Sequence, residues 1–295
     1  MKHSEIYYQA DYIPGMFENW WKRFIQNKLS FVALMGLGLF LLIAILAPLI
    51  APHDPLVQYD EVFLPPFWDT DGNARFLLGT DALGRDVLSR LIYGIRLTLE
   101  LSVTVVVIAS TIGVLLGVAT TSAHKWVETL ILRLMDLFLA LPSLLVAIAI
   151  VSVLGSGVTN VIYAVTIILI PHFVLITRSA IRIEMEKDYV TAMILDGSNK
   201  FRLFYSTILP NIVSALIIQL AVALSTAVLE ITALGFLGLG ASPPSPELGT
   251  ILSESHIYII SAPWTVTLPG LAIFFIVFSI NLVSDGLMDT RSKEQ

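Results

Sequence analysis

The sequence predicts an all-α polytopic membrane protein with six transmembrane helices and both termini in the cytoplasm. Three observations predict it. Hydrophobic residues make up 56% of the 295 positions and charged residues only 14%, with a mean hydropathy of +0.82, too apolar for a soluble domain of this size. The apolar residues fall into runs near the ~20 residues that a helix needs to cross ~30 Å of hydrocarbon. Of the 17 Lys and Arg, 13 fall in alternate segments: the N-terminal tail, 124–133, 178–210 and the C-terminus. The positive-inside rule puts those segments in the cytoplasm.

The elements follow in chain order. Residues 1–30 read as a cytoplasmic tail carrying Lys22, Arg23 and Lys28. The run Phe31–Ala51 reads as the first span; a cleaved signal peptide is the alternative, but the run exceeds the usual ~7–15-residue signal core. Residues 52–98 form an outer loop with a short helix. Residues 99–286 form a five-helix core, with further spans near 99–123, 134–154, 158–177, 212–233 and 264–284. Within it lie a cytoplasmic segment, 184–210, and a periplasmic loop, 234–263. Residues 287–295 are a cytoplasmic tail.

Composition also excludes functions. A net charge of −6 argues against nucleic-acid partners, which require a basic surface. The absence of cysteine rules out disulfides, iron–sulfur clusters and thiol nucleophiles. No metal site is expected. A secondary transporter or channel would not need the charged cytoplasmic segment, an intramembrane enzyme would need paired catalytic groups on facing helices, and a signalling adaptor would need a soluble output domain.

Polar interruptions mark several spans. Pro142, Pro171, Pro269, His172, Gln219 and Asn281 predict kinks and protein-facing surfaces, either for packing or for a path. Gly113 and Gly117 form a small-xxx-small face suited to close helix packing. Asp136 near Arg133 reads as a structural pair. Glu230, near the outer end of the fifth span, is costly there unless it meets a cavity or partner, and with His172 and Gln219 it is a candidate for a translocation path.

The stretch "DYVTAMILDGSNKFRLFYSTILPN", Asp188 to Asn211, is longer than a connector needs to be. Asp188 can cap a short amphipathic helix, Gly197 ends it, and Asn199–Leu209 supplies a second helical piece before Pro210 opens the next span. The result is a cytoplasmic knob with exposed apolar residues, either a docking surface or an interfacial helix on lipid.

This stretch resembles the coupling loop of bacterial ATP-binding cassette importer permeases, whose pattern is Glu-Ala-Ala, three residues, Gly, nine residues, Ile-x-Leu-Pro. Ala192, Gly197, Leu209 and Pro210 match in register, whereas Thr191, Met193 and Thr207 replace the pattern's Glu, second Ala and Ile. Two more blocks, "FLLGTDALGRDVLSRLIYGIRLTL" (Phe76–Leu99) and "ALGFLGLGASPPSPELGTIL" (Ala233–Leu252), resemble the smaller "C" permeases of dipeptide and oligopeptide importers.

The resemblance implies the type I importer permease fold and an inner-membrane location. It also implies the partners: a homologous second permease, two cytoplasmic ATPase subunits holding ATP and Mg, and a periplasmic solute-binding protein. The coupling residues would be Asp188, Tyr189, Thr191, Ala192, Asp196, Gly197, Leu209 and Pro210. This chain itself has no Gly-Lys pair and therefore no phosphate loop, so it is read as a transport subunit without enzymatic activity or cofactor.

In the outer block, Thr80 and Asp81 are candidate caps for a short helix carrying Arg85, Asp86 and Arg90, with Asp81 and Arg85 four apart on one face. The group either staples the fold or docks a binding protein or partner subunit. Both outer loops are net acidic, which suits cationic or ammonium-bearing cargo as well as plain solvation. Peptides are the expected cargo; nickel chelates, haem and antimicrobial peptides are the alternatives carried by relatives with the same blocks.

Overall fold

The computed structural model describes residues 24–25 and 27–292; the greater part of the N-terminal tail, with Lys22 and Arg23, and the last three residues lie outside them. Among the described residues the chain is helical, with no strand beyond a single bridge between Thr80 and Asp86.

Helix α1 (Lys28–Ile50) begins where the Asn27 side chain accepts from the backbone amides of Leu29 and Ser30. Its long run of apolar residues permits no polar face, and 17% of its most apolar window is buried inside the chain. The rest can be covered only by hydrocarbon or another subunit. After it, residues 51–86 fold as a series of turns around His53, Tyr59 and Phe76, with Arg75 over both aromatic rings of Tyr59 and Phe76.

Helix α2 runs from Val87 to Ser122, 36 residues or about 54 Å, so it starts well outside the hydrocarbon that the sequence placed at Leu99. The short separate helix expected in the outer loop is absorbed into its first turns. Asp86 is the cap, accepting from the Ser89 amide at 3.0 Å, while Thr80, Asp81 and Arg85 lie in the turns before it. The third span is also not one rod. Helix α3 (Lys125–Leu139) and helix α4 (Ser143–Leu154) meet at 95°, broken at Ala140–Pro142, where proline cannot supply the amide that a continuous helix needs. Among the described residues five helices are long and apolar enough to span, and six result when this bent pair counts as one crossing.

Helix α5 (Val158–Met185) continues out of the membrane as one charged helix and packs along α2. A Cβ at Gly113 would lie 2.4 Å from Cβ of Phe173, and one at Gly117 2.7 Å from Cβ of Thr177, so hydrogen at these positions lets the backbones meet. Helix α6 (Asp188–Leu195) forms the knob. A turn then leads through Lys200–Leu203 and the π-helical Phe204–Ile208 into α7 (Leu209–Phe236). The outer loop after α7 folds back as helix α8 (Leu248–Ser255) before α9 (Trp264–Ser292). One apolar cluster joins α2, α4, α5 and α7, and a second draws α1, α2, α7, α8 and α9 together.

Candidate functional site

Helix α6 is held by little. Val190 is its one fully buried side chain, set among Ala180, Ile181, Leu203, Ile208 and Ile212. Lys187 occupies the N-cap position without a side-chain bond, so Asp188 is the first helical residue rather than the cap, where its charge still suits the helix N-terminus. At the other end Gly197 takes φ +79°; its amide donates to the Ile194 carbonyl and that of Ser198 to Met193, closing the helix with a left-handed residue as a Schellman turn requires. Asp188, Tyr189, Thr191, Ala192 and Asp196 are exposed, and Leu195 at the tip is 83% exposed. Leu209 and Pro210 lie at the foot of α7. Such a short helix, bare on one side and apolar at its tip, is shaped to be held by something else.

The end of the bundle that holds residues 80–90 and α8 is built differently. Asp81 receives Arg85 Nε at 2.7 Å and is also bonded by Arg90, and both arginines reach Glu254 Oε2 of α8, at 3.0 and 2.5 Å. Arg85, Arg90 and Asp81 are almost wholly buried. Burial alone would raise the Asp81 pKa, but the charges of Arg90 and Arg85, with amide bonds from Arg85 and Leu83, outweigh it and hold the carboxyl below its ordinary value. Thr80 donates to the Glu61 carbonyl at 2.6 Å and accepts from the Leu64 amide at 2.9 Å, pinning the preceding turn. Asp81 and Arg85 do pair at a spacing of four, as a turn rather than as a helical face. Glu247 caps α8, accepting from Gly249 and Thr250, and its burial raises its pKa.

The path candidates differ in burial. His172 is exposed on α5 and Gln219 is half-buried on α7. Glu230 is buried, its Oε1 accepting from Ser143 Oγ at 2.6 Å at the start of α4, while Oε2 has no partner among the described residues. No ion pair joins Asp136 to Arg133 among the described residues; the pairing at this level is Glu128 with Arg178, at 2.5 Å. Nor do the described residues contain a cluster of His, Asp and Glu able to hold a metal ion. Sequence reading missed Glu254, Ser143, Glu184 and Asn211 as partners, because each acts on a residue in another segment.

Residues 109–292 match the family described as "Binding-protein-dependent transport system inner membrane component". The chain belongs to that family. Residues 15–66 of the permease also match the "N-terminal TM domain of oligopeptide transport permease C". It is 46% identical to the di/tripeptide transport system permease protein DppC of Pseudomonas aeruginosa over 94% of this chain and 91% of that one. Identity to the dipeptide transport system permease protein DppC of Escherichia coli is 44% over 92% and 91%. Similarity to an Escherichia coli peptide transport system permease protein, SapC, is 38% over 93% of each. The fold is shared with a solved chain of the MetNI methionine ABC transporter at a TM-score of 0.53 and 18% identity, over 68% of this permease and 95% of that chain. The permease is thus an inner-membrane transport subunit rather than an enzyme.

Proposed function

We propose that this permease forms one half of the channel of an ATP-driven importer of di- and oligopeptides, paired with a homologous second permease. The observation that carries the cargo is the 46% identity to a di/tripeptide permease along 94% of the chain. Two ATPase subunits hold ATP and Mg, and one of them docks on α6, whose exposed Leu195 and Ile194 fit a cleft on a soluble partner. The termini lie on the same cytoplasmic side as α6, as the distribution of Lys and Arg requires. A loaded periplasmic binding protein meets the opposite face. Import follows when that protein and ATP favour the same conformation of the helices.

Glu230 belongs to the path in this reading. Movement of α4 away from α7 would free a carboxylate that already has one unpartnered oxygen, and a peptide ammonium is its natural counter-ion. Glu230→Gln is expected to raise the half-saturating concentration of ammonium-bearing peptides about fivefold, a loss of about 1 kcal/mol. N-acylated peptides should be unaffected, and equal effects on both would remove Glu230 from the path.

The deciding experiment is binding-protein-stimulated ATP hydrolysis by the whole complex in lipid discs, challenged with dipeptides, longer cationic peptides, haem and nickel. Stimulation by dipeptides supports the assignment. Stimulation by haem or nickel alone would replace the cargo and leave the importer.

A further inference from the structure

Helix α6 joins its two neighbouring spans by unequal connections. Two residues, Glu186 and Lys187, separate it from α5, whereas the turn 196–199 separates it from the unbroken helical stretch that runs through Lys200–Leu203 and Phe204–Ile208 into α7. A push on α6 therefore reaches α5 through a short covalent link. It reaches α7 through a longer turn, the packing of Val190 and the bond from Thr207 Oγ1 to Met193 Sδ, and a group bonded to both α5 and α7 would tie the two ends together directly.

One hydroxyl does so. Tyr189 Oη donates to Glu184 Oε1 near the end of α5 and accepts from Asn211 Nδ2 at 2.9 Å at the foot of α7. These directions are forced, because a carboxylate only accepts and an amide nitrogen only donates. The same Asn211 nitrogen donates to the Thr207 carbonyl at 2.9 Å, which fixes the amide's orientation, and Glu184 Oε2 takes Lys187 Nζ at 2.9 Å. Glu184 is 5% exposed, and its carboxylate makes the bond to the Tyr189 hydroxyl charge-assisted, although Tyr189 itself is exposed. Val190 and Met193 hold one side of α6 against the cluster; the bond from Asn211 to Tyr189, near the first turn of α6, adds a second point of attachment to α7.

We infer that the Tyr189 hydroxyl, through Asn211 and Glu184, is the positioning group that makes the cytoplasmic ends of α5 and α7 move as one body when α6 is displaced. This rests on α6 being the ATPase-docking helix. Tyr189 itself need not touch the ATPase; it keeps the two spans in step.

The absence of cysteine allows a direct test. Spin labels at Ile183→Cys and Val213→Cys, both exposed on the ends of α5 and α7, report their separation in the complete complex without nucleotide and with ATP–vanadate. With Tyr189 intact the separation is expected to stay constant between the two states. In Tyr189→Phe, which keeps the ring and removes the two bonds, it should change by about 1–2 Å, the scale of helix shifts at interfaces. Asn211→Leu should do the same, and the double variant no more than either single, as expected of one shared bond. A constant separation in Tyr189→Phe, or effects that add in the double variant, would overturn the inference. Leu195→Asp separates the two levels: if it leaves the ATPases bound, the docking assignment falls and the latch with it. If it releases them while Tyr189→Phe behaves as wild type, the latch alone falls.

Discussion

In the proposed orientation, the outer and inner ends of this permease solve opposite problems with similar residues. Outside, two arginines and two carboxylates from segments 164 residues apart in sequence are drawn into one buried cluster, binding the first loop, the start of α2 and α8 into a block. Inside, the charged residues of 184–211 lie mostly at the surface around a helix anchored by one buried valine and one shared hydroxyl. The difference is one of replaceable partners. A buried charge must find its counter-charge within the same chain, whereas a helix meant to be gripped by another protein must leave its apolar side chains outside.

Breaking the outer cluster gives the largest expected effect. Arg90→Ala leaves Asp81 and Glu254 with Arg85 as their one remaining shared cation in a largely buried site, and should destabilise the protein by about 3 kcal/mol, read as a lower Tm in detergent. A loss near that of a surface pair would make the cluster no clamp. On the inner side, Gly197→Pro cannot adopt φ +79° and loses the amide bond to Ile194. The expected outcome is a permease that inserts and assembles its outer half normally but no longer drives ATP-dependent uptake; full transport would detach α6 from coupling.

Acid sharpens the comparison further. The Asp81 pKa lies below its usual value in the folded protein, so the stability it contributes is present above the unfolded value and is lost as pH falls through the folded one. Hydrogen-exchange protection over residues 81–92 should therefore hold from neutral pH to about 4 and drop only below it. Loosening at milder acidity would mean that the arginines do not control Asp81. The smallest effect is that of Gly197→Ala: nothing lies within 4 Å of the new Cβ, so the cost is the left-handed φ alone, about 1 kcal/mol, confined to the exchange rates of α6.

Much of this was legible in the chain, and the misses share a cause. The apolar runs announced the spans, and the register of Ala192, Gly197, Leu209 and Pro210 announced the inner loop. Pro142 was visible as a kink, but not as a 95° break that ends one helix and starts another. Asp81 and Arg85 were visible as a pair, but a spacing of four describes a helical face and a tight turn equally well, and here it is a turn.

Sequence alone determined what depends on short range: span length from the thickness of hydrocarbon, and the helix stop at Gly197 from the residue type that best tolerates its φ. The tertiary structure decided which charges meet. Glu254 reaches Arg85 across 169 positions and Asn211 reaches Tyr189 across 22, because helix packing sets those distances. No local pattern records which helices will lie side by side, since each apolar face is compatible with many neighbours until the whole bundle closes.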